Sequence, residues 1–121
     1  MIASLRSIVI DAADIETLAA FYGAVLGWPR VYSGDDWITL SDGSGRLAFQ
    51  LAPDHQPPAW PDPARPQQFH LDLLVDDIET AHREIVALGA RHLDSQGDFR
   101  VYADPAGHPF CLVFDVGAAD V

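Results

Sequence analysis

The tetrapeptide Asp-Ile-Glu-Thr occurs twice, at Asp14 to Thr17 and again at Asp77 to Thr80, an offset of 77 − 14 = 63 in a chain of 121 residues. A chain that repeats itself at half its length is read as two copies of one unit. The echo runs outward in both directions. Each copy follows a β-branched and apolar run, Ile8-Val9-Ile10 or Leu71-Asp72-Leu73-Leu74-Val75, and leads through an amphipathic stretch to Leu26-Gly27 or Leu88-Gly89. About 60 residues is close to the size at which a single core becomes marginal, so the two copies are expected to share one.

Within the first copy, Leu5 to Ile10 is rich in β-formers and predicts a strand. Asp14 stands where an N-cap belongs, its carboxylate able to accept orphan amides of the first turn, and Glu16 suits the dipole there. Ile15, Leu18, Ala19, Tyr22, Val25 and Leu26 recur at three and four, giving one apolar stripe on a helix that stops at Gly27. A short strand at Arg30 to Tyr32 and two more at Trp37 to Leu40 and Leu47 to Leu51 follow, the last two joined by the turn Ser41-Asp42-Gly43-Ser44-Gly45. Pro53 to Pro66 holds six of the nine prolines and reads as a stiffened linker. The second copy repeats the plan: strand Phe69 to Val75, helix Asp77 to Leu88, then strands near Arg91 to Leu93, Phe99 to Tyr102 and Phe110 to Phe114. The expected layout is module one at 1–52, linker at 53–66 and module two at 67–118, an α+β chain of two β-α-β-β-β modules in one domain.

The 18 acidic against 7 basic residues give a formal net charge of −11, which repels phosphate backbones and argues against nucleic acid as a partner. A single cysteine, Cys111, excludes an intrachain disulfide and fits a reducing compartment. No apolar run approaches the ~20 residues of a membrane span. The expectation is a cytoplasmic protein, intact from Met1, with no membrane partner.

The opening strand into Ala13-Asp14-Ile15, the segment Phe21-Tyr22-Gly23-Ala24-Val25-Leu26-Gly27-Trp28, the strand His70 to Asp76 and the turn Asp104-Pro105-Ala106-Gly107-His108-Pro109-Phe110 together resemble the vicinal oxygen chelate superfamily. That group comprises glyoxalase I, bleomycin-resistance proteins and extradiol dioxygenases. The resemblance covers essentially the whole chain. It implies a curved, partly open sheet, a homodimer, and a hollow holding a divalent metal on four ligands from the first and last strands of each module. Matched motif to motif, those ligand positions fall on Ser7, Gln50, His70 and Cys111, of which only His70 is a usual ligand type for the family.

Strand alternation gives an independent view of the same hollow. Leu71, Leu73 and Val75 share an apolar face that must pack on the helix, so His70 and Asp72 point the other way. By the same period Phe110, Leu112 and Phe114 pack away and leave Cys111 inward, while Leu47, Phe49 and Leu51 leave Gln50 inward.

Several roles stay open for these residues. His70 is a metal ligand or a hydrogen-bonded cavity histidine, and Asp72 beside it makes either an acid-base pair or a polar lining. Cys111 is a nucleophile activated by His70 or an inert buried thiol. Trp37, Thr39 and Phe99 line the hollow or belong to the core, and Trp60 is a lid, a subunit contact or a loop residue packed on its own domain. His82 and His108 are expected at the surface. Because the matched ligand set lacks carboxylates, the expected function is binding of a small organic ligand by Trp37, Thr39, Gln50, His70, Asp72, Phe99 and Cys111, with no metal cofactor. The alternative is a lyase, isomerase or epimerase using His70 with a non-standard divalent metal set, or His70 and Asp72 as a catalytic pair.

Overall fold

The computed structural model describes residues 1–115, so the expected end of module two at residue 118 lies outside the described residues. Each half of the chain builds one four-stranded sheet and one helix. In the first, β1 (Ile8–Ala12), α1 (Ile15–Leu26), β2 (Arg30–Ser33), β3 (Trp37–Ser41) and β4 (Arg46–Leu51) assemble in the order β1-β4-β3-β2. In the second, β5 (Leu71–Leu74), α2 (Ile78–Ala87), β6 (Arg91–Ser95), β7 (Phe99–Ala103) and β8 (Pro109–Val113) assemble as β5-β8-β7-β6. Both are open sheets in an α+β arrangement, and each pairs its first and last strands in parallel. The chain divides into two compact units at Gln56 and Pro57, inside the proline-rich segment.

The repeat extends to the hydrogen-bond register. Val9 pairs with Ala48 and Asp72 with Cys111, so both strands move by the same amount, 72 − 9 = 63 and 111 − 48 = 63. Even the irregularities recur, with a bulge between Arg30 and Tyr32 in β2 and another between His92 and Asp94 in β6. A one-residue slip would turn every side chain to the wrong face, so a conserved register means that equivalent positions face the same way in both modules.

Both copies of the tetrapeptide cap their helices as expected. The Asp14 carboxylate accepts from the Thr17 amide at 3.0 Å and the Thr17 hydroxyl at 2.6 Å. Asp77 accepts from the amides of Glu79 and Thr80 at 3.1 and 3.3 Å. Gly27 closes α1 with φ +68°, a backbone state that glycine adopts without strain, and its N–H donates a hydrogen bond to the Gly23 carbonyl.

The first strand departs from expectation. It begins at Ile8 rather than Leu5 and runs on through Asp11 and Ala12, because its partner β4 supplies register positions only from Leu47 to Leu51. Leu5 is accordingly exposed. Likewise β5 starts at Leu71, and Phe69 is left 91% exposed.

The helix side of sheet one is an apolar core in which Ile38, Leu40, Phe49, Leu18 and Tyr22 are almost wholly buried, with Tyr22 and Phe49 stacked at 5.9 Å. In the second unit the helix side is part polar. Tyr102, fully buried and stacked on Phe110 at 5.5 Å, bonds His82 Nδ1 at 2.7 Å through its hydroxyl. His82 in turn meets the His92 ring edge-on at 5.1 Å, while Arg100 pairs with Glu79 of α2. His82 is therefore a half-buried structural residue instead of a surface one. Among the residues of α2, only Ile85 is buried.

Candidate functional site

Alternation along the strands puts the side chains at Trp37, Thr39, Ala48, Gln50, Val9 and Asp11 on the face of sheet one away from α1. Asp11, Gln50 and Trp37 are successive register partners across β1, β4 and β3, so they form one row. Trp37 donates its indole N–H to Thr39 Oγ1 at 2.9 Å, which fixes the ring over its own strand. Thr39 and Ala48 are buried and Gln50 and Asp11 exposed. Asp11 went unrecognised in the sequence because the expected strand stopped at Ile10; the β4 pairing carries β1 past it.

The second sheet carries the more reactive groups. His70 Nε2 lies 3.1 Å from Asp72 Oδ1, with their side chains 39% and 51% exposed. Asp72 is the register partner of Cys111 on β8, which brings its carboxylate near the Cys111 thiol. Burial, with the negative charge of Asp72 adding to it, pushes the thiol up to about 11. A thiol so raised is protonated at neutral pH and a poor nucleophile, which favours the inert form of Cys111 over the activated one. Phe99 lies on the same face, opposite Val113 and two residues along β7 from Val101, the partner of Cys111. One donor atom from each of His70, Asp72 and Cys111 falls within 4.8 Å of the others, the one such group of three among the described residues.

The predicted site residues thus fall into two sets, Trp37, Thr39 and Gln50 on the first sheet and His70, Asp72, Cys111 and Phe99 on the second. Register also shows that Gln50 and Cys111 are not equivalent positions. The counterpart of Gln50 is Val113 and that of Cys111 is Ala48, each at an offset of 63.

A glyoxalase-like domain model matches residues 7–113, well over half of the sequence. The chain belongs to the glyoxalase-like domain family. Solved structures agree on the fold of this glyoxalase-like protein. It is similar to a glyoxalase/bleomycin resistance protein/dioxygenase family enzyme from Burkholderia phytofirmans PsJN, at 19% identity and a TM-score of 0.75 over 94% of this chain and 100% of that one. A glyoxalase-related enzyme from Fulvimarina pelagi matches at 23% identity and a TM-score of 0.70, covering 95% and 93% of the two chains. The fosfomycin resistance protein FosX from Listeria monocytogenes, complexed with Mn(II) and sulfate, matches at 15% identity and a TM-score of 0.75 over 96% and 93%. No curated protein matches the sequence. No helix among the described residues is long and apolar enough to cross a membrane.

A hard ion such as Mn(II) is best held by carboxylate, carbonyl and water oxygens. Motif matching gives this glyoxalase-like chain a hydroxyl at Ser7, an amide at Gln50 and an imidazole at His70, and the register puts Val113, in place of the Cys111 thiol, at the counterpart of Gln50. That set contains no carboxylate and does not fit a manganese centre.

Proposed function

We propose that this glyoxalase-like protein binds a small organic ligand on the helix-free face of its sheets, without a manganese-type centre. The observation that carries this reading is the His70–Asp72 pair, with Nε2 3.1 Å from the carboxylate and both side chains open to solvent. An imidazole placed beside a carboxylate presents a polar atom to a ligand, and Phe99 on the same face supplies apolar contact; the first sheet, taken by itself, offers the apolar and amide groups of Trp37, Thr39 and Gln50. The resistance protein and family enzymes of like fold support a small organic molecule as the ligand class. The family resemblance further implies a homodimer, which sedimentation would check.

Calorimetry with hits from a ligand screen tests the reading. His70→Ala and Gln50→Ala are each expected to lose about 0.5–1.5 kcal/mol of binding, the net worth of one hydrogen bond. Glu84→Ala, on the exposed side of α2, is expected to bind normally. Equal affinity in all three would place the binding surface elsewhere.

A second reading follows from one detail of the pair. Asp72 engages Nε2 of His70, which favours the proton on that nitrogen and leaves Nδ1 as a proton acceptor. A carboxylate-oriented imidazole is suited to removing a proton next to a carbonyl, as a lyase, isomerase or epimerase requires. Turnover that vanishes in His70→Ala and falls in Asp72→Asn would favour this enzyme over the binder.

A further inference from the structure

The misfit of the family-matched positions with a hard ion leaves a different donor set intact. We propose that His70, Asp72 and Cys111 form, within the second module alone, a three-donor site for a thiophilic divalent ion of the zinc class. Asp72 is not among the family-matched positions, and neither Ser7 nor Gln50 is needed.

The geometry comes first. Zinc bonds of ~2.0–2.3 Å in a tetrahedron put neighbouring donor atoms about 3.3–3.6 Å apart. His70 and Asp72 already stand at 3.1 Å, and no pair in the trio exceeds 4.8 Å. Closing the longest gap asks for a movement of roughly 1 Å. The parts that must move are able to: His70 precedes the first residue of β5 and is partly exposed, and Asp72 is half exposed at the sheet edge. Cys111, buried in the middle of β8 between β5 and β7, is the fixed member.

Charge and softness point the same way. Binding would replace the thiol proton, releasing it to solvent as the sulfur–metal bond forms, and the Asp72 carboxylate beside the thiol would take its place on the ion. One thiolate, one carboxylate and a neutral imidazole sum to −2, which a divalent ion cancels. A thiolate with an imidazole selects zinc-class ions, whereas Mn(II) stands at the weak end of the affinity order for such ligands. Three protein donors also leave a fourth position free, as in zinc sites that hold water or a ligand. Exposure of His70 and Asp72 gives the ion a route in.

Cobalt(II), a coloured stand-in for zinc, makes the proposal testable on the chelator-treated full chain with no organic ligand added. The expected result is one Co(II) per chain with a sulfur-to-cobalt charge-transfer band, displaced by Zn(II) and not by equimolar Mn(II). Cys111→Ser should abolish the band, and His70→Ala and Asp72→Asn should each weaken binding roughly tenfold or more. Ser7→Ala and Gln50→Ala should leave affinity unchanged. Circular dichroism melts of the metal-free variants establish that each is folded, and the near-isosteric Cys111→Ser and Asp72→Asn changes keep the test decisive where His70→Ala does not fold. Absence of a thiolate band at saturating Co(II) would overturn the proposal. Loss of binding in Ser7→Ala or Gln50→Ala equal to that in Asp72→Asn would do so as well, by assigning the ion to the family-matched positions.

Discussion

Leu40 and Tyr102 hold the same place in the two modules: Leu40 pairs with Leu47 across one hairpin and Tyr102 with Phe110 across the other, both fully buried on the helix side. Their offset is 102 − 40 = 62, one less than that of their partners, because the second hairpin turn is one residue longer. One module fills this position with hydrocarbon alone, and the other adds a hydroxyl that must find a partner, which His82 supplies at 2.7 Å.

Truncating the two positions is therefore expected to cost different amounts for different reasons. Leu40→Ala leaves a cavity and should lower stability by about 2–5 kcal/mol. Tyr102→Phe keeps the ring stack but removes the hydroxyl, at about 0.5–1.5 kcal/mol. Urea denaturation of both variants measures the difference, and a Tyr102→Phe loss as large as that of Leu40→Ala would mean that the hydroxyl organises more than His82.

The His82 cluster gives stability a pH dependence. Burial first, then His92 and Arg100, holds His82 below its ordinary value of 6.5, against a weaker opposing pull from Glu79; Arg83 acts with the other cations. The folded state thus binds fewer protons at this site than the unfolded chain does. Stability is expected to decline as pH falls through about 6.5, levelling once the folded imidazole also protonates. Melting temperatures from pH 8 to pH 5 in wild type and His82→Gln should converge toward the acid end; parallel curves would remove His82 as the source.

The two capping aspartates should matter equally, since one tetrapeptide builds both. Asp14→Ala and Asp77→Ala are each expected to lower the denaturation midpoint, with Asp14→Ser and Asp77→Ser restoring most of it, because serine also caps. The Thr17 and Thr80 hydrogen bonds hold these carboxyls below the usual range, so the stabilisation is present above ordinary carboxylate pKa values and lost as pH falls. Asp35→Ala, at an exposed site before β3, serves as the comparison.

Gly43 and Gly107 separate backbone strain from steric contact. Their φ values are alike at +96° and +90°, but an added Cβ meets open space at Gly43 and the Pro57 side chain at 2.6 Å at Gly107. Both alanine variants should lose about 1 kcal/mol or more from the left-handed backbone. The Gly107→Ala loss should be larger, and Pro57→Gly in the same background, which removes the Cβ met at 2.6 Å, should reduce the difference; equal melting temperatures for the two alanine variants would show that Pro57 yields freely.

Much of this was written in the chain. The doubled Asp-Ile-Glu-Thr, the Leu-Gly stops and the apolar alternation of β4, β5 and β8 locate two modules, both caps and the face bearing Gln50, His70, Asp72 and Cys111, since each is a local pattern with one structural solution. What escaped reading depends on partners distant in sequence. The extension of β1 to Asp11 follows from β4, and the burial of His82 follows from Tyr102 twenty residues away. Motif matching placed Gln50 and Cys111 in corresponding ligand roles, and only the strand register separates them. The close association of Asp72 with Cys111 likewise needed the parallel pairing of β5 with β8.

The repeated bulge has a consequence beyond symmetry. Strands β2 and β6 are sheet edges, and an unpaired edge offers its amides and carbonyls to any extended segment that arrives. By interrupting the ladder after Arg30 and after His92, each module distorts the strand that would otherwise serve as a template. The same local irregularity, inherited twice, works as a guard against runaway assembly at an outer strand of each sheet.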